Sequence, residues 1–231
     1  MEGKISSILS MGTVDGPGIR TVVFFQGCPL RCAYCHNPET HDFNAGISMS
    51  ASEVFKKILP NIRYFKNNGG VTLSGGEVLC QAEFAVEVLK LCKQRNIHTA
   101  IDTSGCLLND DVKTLLEYTD LCLLDIKMTN EDDYEKYIGG SLEKTLEFLE
   151  YLDSIYMPVW IRQVIVPGIN DTIENYDKLK ELVSPFKCIE KIELLPFRKL
   201  CLEKYENMGL EFPLKDIREC TKADIERIQS I

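Results

Sequence analysis

Three cysteines, Cys28, Cys32 and Cys35, stand in the stretch CPLRCAYCHN, and residues 36 to 79 contain no other. Spacings of four and three would line their sulfurs along one helix face, but Gly27 and Pro29 argue for a loop folded around an object. Three thiols this close, just past the end of a strand, are more than a core of small apolar residues requires. Zinc accepts thiolates, yet a structural zinc is closed by four ligands. The nearby fourth candidate, His36, adjoins Cys35 and would strain a tetrahedron. A cubane iron–sulfur cluster normally takes four thiolates, and three would leave one iron open to a substrate or cofactor. The residues alone leave zinc and iron–sulfur both standing.

Other polar residues have similarly unusual places. LSGGE (73 to 77) puts Gly75 and Gly76 after a strand, where backbone can approach a ligand, and Glu77 adds an acceptor suited to an ammonium group. It lacks the Gly-Lys-Ser/Thr ending of a phosphate-binding loop. Asp102, Asp125 and Lys127 end otherwise apolar runs, where a rim salt bridge is the plainest reading. Two carboxylates against one amine nevertheless leave a negative charge for a ligand or cation to meet. Arg162, inside VWIRQVIVP, is expected to face a lumen and an anionic or hydroxylated ligand. His98 reads as a satisfied core or rim histidine and His41 as a loop residue. Cys80, Cys92, Cys106, Cys122, Cys188, Cys201 and Cys220 fall singly and read as small hydrophobes, and NEDDYEK (130 to 136) reads as a solvated helix face.

The elements that must hold these groups recur as short apolar runs followed by amphipathic helical patterns. The runs are TVVFFQG (21 to 27), GVTLSGG (70 to 76), IHTAIDTSG (97 to 105), LCLLDIK (121 to 127), VWIRQVIVPG (159 to 168) and KIELLPF (191 to 197). None alternates cleanly, as expected for parallel strands covered on both faces. Helical stripes run through Val54, Ile58 and Ile62, through Phe84, Val88 and Leu91, through Leu142, Leu146 and Leu149, and through Ile173, Tyr176 and Leu179. Six strands alternating with helices imply an α/β fold with right-handed crossovers, either a partial (β/α)6 TIM-like barrel or a doubly wound open sheet. The polar residues gather at the carboxyl ends of several different runs, which in a barrel converge on one mouth. That favours the barrel.

The 231 residues show no repeat or linker and read as a single domain over 1–231, with a core at about 18–200 and a tail at 201–231. A chain this long can bury roughly 70–75% of its unfolded surface, so it needs no staple to fold. No apolar run reaches a membrane span, and the cysteine pattern reads as a reducing, cytoplasmic setting. A net charge of −9 without a basic block gives no footprint for nucleic acid.

With GTVDGPGIR (12 to 20) before the cysteine loop, and LSGGE, DTSG, LDIK, WIRQVIVPG and KIELLPF after it, the chain resembles the pyruvate formate-lyase activating enzymes of the radical S-adenosylmethionine (SAM) superfamily. The similarity runs from about Gly3 to about Leu214. It implies that Cys28, Cys32 and Cys35 hold one [4Fe-4S] cluster whose fourth iron is chelated by SAM. One electron would then cleave SAM to methionine and a 5′-deoxyadenosyl radical, which takes hydrogen from a glycine Cα of a partner glycyl-radical enzyme, here pyruvate formate-lyase.

By the same resemblance, Tyr34, His36, Ile126 and Lys127 contact SAM, Gly75, Gly76 and Glu77 face its amino group, and Arg162 lines the same cavity. Asp102, Thr103, Asp125 and the backbone of Leu123 match a site for a monovalent cation. Arg198 stands where relatives have a histidine near the ribose; it can donate there but cannot accept. The tail after Leu214 matches poorly. Many activases carry a cysteine-rich ferredoxin-like insert after the first motif. Its absence here implies a short form that holds one cluster and takes electrons from a separate flavodoxin or ferredoxin, and a monomer is expected. The remaining readings are an activase for another glycyl-radical enzyme and a non-catalytic zinc or iron–sulfur module.

Overall fold

Burial on both faces explains the continuous apolar runs. In a computed structural model, which describes residues 1–66 and 68–230, β2 (Arg20–Phe25), β4 (Gly70–Gly75) and β6 (Leu121–Asp125) are buried along almost their whole length. Two strands precede or flank them without a matching signal in the sequence: β1 (Glu2–Gly12), antiparallel to β2, and β3 (Ile47–Ser50), antiparallel to β1. The remaining strands are β5 (His98–Thr103), β7 (Val159–Ile165) and β8 (Ile189–Pro196). Strand order is β3-β1-β2-β4-β5-β6-β7-β8, with β2–β4, β4–β5 and β7–β8 parallel. From β2 onward the strand order follows the chain with no reversal. A doubly wound sheet needs such a reversal, so the order is that of a (β/α)6 TIM-like arrangement.

The connecting helices are α1 (Ala51–Ile58), α2 (Ile62–Phe65), α3 (Ala82–Lys93), α4 (Asp110–Leu116), α5 (Glu131–Ile138), α6 (Leu142–Ser154) and α7 (Ile173–Val183). After β8 the tail forms α8 (Leu202–Asn207) and α9 (Lys222–Gln229), neither of which the sequence signalled. Local chemistry sets the helix starts. Ser50 and Glu53 form a capping box on α1, Asn130 caps α5, and Gly139 ends α5 in the left-handed conformation. The acidic stretch at 130–136 is this helix, with Tyr134 turned inward and bonded to Thr145 Oγ1 of α6 at 2.9 Å.

The chain divides into two compact units, 1–29 with 40–123, and 30–39 with 124–231. In the first, the amino-terminal ends of β2, β4 and β5 are gathered by Arg20, which is 0% exposed. Its guanidinium donates to Thr72 Oγ1 (2.5 Å) and to the Val71 carbonyl (2.6 Å), and it meets His98 Nδ1 at 3.3 Å. His98 is thus the satisfied rim histidine its position predicts. Among the described residues no helix is long and apolar enough to cross a membrane.

Candidate active site

The first unit holds Cys28 and the turns after β4 and β5. Gly27, at φ +91°, donates to the Thr40 carbonyl at 2.8 Å and closes the base of the cysteine loop. The glycine turn is stitched to the same place: Gly76 donates to the Phe25 carbonyl (2.9 Å) and Glu77 N–H to the Gly27 carbonyl (2.8 Å). This explains both glycines. A Cβ on Gly75, at φ +107°, would stand 2.5 Å from the Phe25 nitrogen, and one on Gly76 would stand 2.3 Å from the Gly27 oxygen. The close approach they permit is to the neighbouring backbone that carries Cys28.

Beside this turn, Ser74 Oγ donates to Asp102 Oδ2 at 2.9 Å. The Glu77 carboxylate is buried and accepts from Thr103 Oγ1, Ser104 Oγ and the amides of Leu79 and Ser104. Ser74 and Ser104 lie inside the LSGGE and DTSG motifs, but neither has a partner legible in the sequence: the structure pairs Ser74 with Asp102 and Ser104 with Glu77. Cys80 and Cys106 are less isolated than their sequence positions imply. Burial, then the charges of Glu77 and Cys28, push each thiol up to about 12, so both stay protonated at neutral pH.

The second unit holds Cys32, Tyr34, Cys35 and His36. The last carbonyls of α5 anchor this half of the loop, accepting Arg31 N–H (Ile138, 2.9 Å) and Ala33 N–H (Tyr137, 2.7 Å). Cys35 N–H turns back to the Cys32 carbonyl at 3.0 Å, and Asn37 N–H donates to Cys35 Sγ at 3.4 Å. Burial pushes the Cys32 thiol up to about 11, against the nearby ammonium of Lys127. Lys127 pairs with Asp125 at 2.7 Å. Burial alone would lower the Lys127 pKa, but the charges of Asp125, Cys32 and Tyr34 hold it well above the ordinary value. Tyr34 is 5% exposed, and its buried hydroxyl has no hydrogen-bond partner among the described residues.

Ile126 N–H donates to the Arg162 carbonyl at 3.0 Å, and Arg162 Nε faces Glu193 Oε2 at 3.4 Å across the paired strands β7 and β8. Arg198 points its guanidinium at Glu219 (3.3 Å), while its backbone carbonyl meets His36 Nε2 at 2.7 Å. Lys204, in α8, bonds Asn37 Oδ1 at 2.8 Å, so the tail braces the cysteine loop. Leu123, named beside Asp102 and Thr103, is a fully buried residue of β6.

The donor set fits an iron–sulfur group. Three free thiols lie in one loop, one of them in surroundings where a thiolate needs a cationic partner, and an amide N–H is directed at a second sulfur. Among the described residues, no three His, Cys, Asp or Glu side chains are grouped to hold a single ion. A cluster asks for less convergence, since its thiolates bind different irons.

Comparison with known proteins agrees with this chemistry. The radical SAM superfamily profile matches residues 22–179. The pyruvate formate-lyase-activating enzyme of Clostridium pasteurianum is 47% identical over 228 residues, covering 98% of this chain and 95% of that one. The pyruvate formate-lyase 1-activating enzyme of Escherichia coli (strain K12) is 42% identical over 233 residues, covering 99% and 94%. Among solved structures, Streptococcus suis SuiB bound to precursor peptide SuiA superposes with TM-score 0.70 at 17% identity, over 96% of this chain and 46% of that one. A domain of pyruvate-formate lyase-activating enzyme from Bacteroides vulgatus gives TM-score 0.58 at 23% identity, over 70% and 91%. These two likenesses establish the partial-barrel fold, and the sequence identities establish more: the chain belongs to the radical SAM superfamily and, within it, to the pyruvate formate-lyase-activating enzymes.

Proposed function

We propose that the protein activates a glycyl-radical enzyme, pyruvate formate-lyase, by reductive cleavage of SAM. The observation that carries this reading is the Cys28, Cys32, Cys35 loop after a buried parallel strand, in a chain whose near-full-length relatives bear that name. When bound, a [4Fe-4S] cluster completed by SAM supplies the electron that breaks the sulfonium S–C5′ bond, giving methionine and a 5′-deoxyadenosyl radical able to take hydrogen from a glycine Cα.

The chain's own residues do the holding. Cys28, Cys32 and Cys35 are the cluster ligands, and the Asn37 amide offsets negative charge on Cys35. Lys127 stabilises the thiolate of Cys32 by its charge while Asp125 keeps the ammonium ionised in a buried place. The Gly75–Gly76 turn and Tyr34, His36, Ile126 and Lys127 receive SAM, with Arg162 lining its cavity and Arg198 near the ribose. Asp102, Thr103, Asp125 and the Leu123 backbone take a monovalent cation. That completes the charge balance the two carboxylates require. A flavodoxin or ferredoxin delivers the electron to a monomeric, cytoplasmic chain.

Anaerobic reconstitution with iron and sulfide, followed by SAM and dithionite, should yield methionine and 5′-deoxyadenosine in equal amounts. One bound zinc, with no iron uptake and no SAM cleavage, would overturn the proposal in favour of a zinc module.

A further inference from the structure

We propose that Glu77 is a positioning residue: its carboxylate latches the turn after β4 to the turn after β5, fixing the backbone that the two turns present to SAM. This rests on the SAM-cleaving reading and departs from a direct contact between Glu77 and the SAM ammonium. Glu77 is 1% exposed. Its Oε1 accepts from Thr103 Oγ1 (2.5 Å) and Leu79 N–H (3.2 Å), and its Oε2 from Ser104 Oγ (2.6 Å) and Ser104 N–H (3.0 Å). A carboxylate offers about four acceptor sites, and these four donors occupy them. An ammonium group would have to displace one.

The surroundings show what the latch adds. The β4–β5 ladder runs from Gly70 opposite His98 to Leu73 opposite Ile101. Beyond it the connection continues through side chains, first Ser74 to Asp102 and then Glu77 to Thr103 and Ser104. The backbone of Glu77 is meanwhile bonded to Gly27, next to Cys28. One residue therefore ties together the ends of β2, β4 and β5. Thr103 Oγ1 also accepts Gly105 N–H at 3.1 Å, which extends the restraint through the DTSG turn. Two of the four donors are backbone amides and cannot reverse. A glutamine here would set its NH2 against Leu79 N–H or Ser104 N–H, so charge and acceptor count matter as well as length.

The test compares Glu77→Gln, Ser104→Ala and the double variant with the unmutated protein, all as reconstituted holoenzyme. Exchange of the Leu79 and Ser104 amides and the dissociation constant of SAM are read in each. Glu77→Gln and Ser104→Ala should each speed exchange at both amides, by about tenfold in Glu77→Gln, while the amides of β7 and β8 keep their rates. SAM affinity should fall about tenfold in Glu77→Gln and by a smaller factor in Ser104→Ala, with the double variant no worse than Glu77→Gln. In turnover, the KM for SAM should rise more than kcat falls.

Weakened SAM binding in Glu77→Gln with unchanged exchange, and normal binding by Ser104→Ala, would overturn the proposal in favour of direct contact. Faster exchange with intact SAM affinity would overturn it too, leaving a bond that serves the fold alone. A failed functional reading has a different signature, absence of SAM binding and cleavage by the unmutated holoenzyme, while the exchange comparison among the variants still reads whether Glu77 joins the two turns.

Discussion

Lys127 and Asp125 form an ion pair whose side chains are 14% and 23% exposed, and the ammonium also faces Cys32, favouring its thiolate against burial. Removing one charge strands the other. Lys127→Met should cost about 2 kcal/mol of stability, somewhat less than the 3–5 kcal/mol of a fully buried pair. Combining it with Asp125→Asn should recover part of that loss in a double-mutant cycle followed by urea unfolding. Cys32→Ala should leave the fold intact yet bind no cluster and release no 5′-deoxyadenosine on anaerobic reconstitution, as read by absorbance and chromatography. These residues were legible in the sequence because ionisable or thiol groups interrupt apolar strand ends, where chance rarely puts them. Ser74 and Ser104 were legible only as members of their motifs, and Asn37 and Tyr134 not as functional groups, because their types are common at turns and helices and only their bonding partners distinguish them.

At the level of elements, two polar residues hold strand starts together in the first unit. Arg20 bonds to β4 and meets His98 of β5, and burial pulls its pKa down to about 10 despite Asp15 and Asp120. Arg20→Met should cost about 3 kcal/mol and lower Tm by roughly 6–12 °C in a thermal melt. Asp120 accepts from Lys93 Nζ, Thr99 N–H and Thr99 Oγ1, joining the end of α3 to the starts of β5 and β6. Burial raises its pKa, but these three bonds together outweigh it and set the folded value below the 3.8 of a free aspartate. The resulting stabilisation is present above about pH 4 and is lost as pH falls through the folded value. Asp120→Asn should therefore cost about 1–3 kcal/mol at pH 7 and progressively less below pH 4, in urea titrations at the two pH values.

The six parallel-type strands were readable because each is a short run rich in β-branched and apolar residues, continuous in β2, β4 and β6 and interrupted by charges in β7 and β8. β1 was not, since Ser6, Ser7 and Ser10 break its pattern along a half-exposed strand, and β3 has only four residues. In the tail, α8 and α9 are short and largely polar, and Lys204 of α8 reaches the cysteine loop through a contact no local signal encodes.

For the molecule as a whole, a net charge of −9 and one cysteine triad set the terms of its partnerships. A single cluster should bring about four irons per chain after reconstitution, and reduction should need an external carrier. Turnover with NADPH, a flavodoxin reductase and flavodoxin, and none without the flavodoxin, would identify that carrier by 5′-deoxyadenosine release. The central claim is that the radical is passed to a glycine of another protein, and electron paramagnetic resonance tests it most directly. Reduced holoenzyme mixed anaerobically with SAM and pyruvate formate-lyase should give the doublet of a glycyl radical on the lyase, absent when Cys32 is alanine or SAM is withheld. SAM cleavage by the unmutated holoenzyme without that doublet, in the presence of folded lyase, would contradict the account.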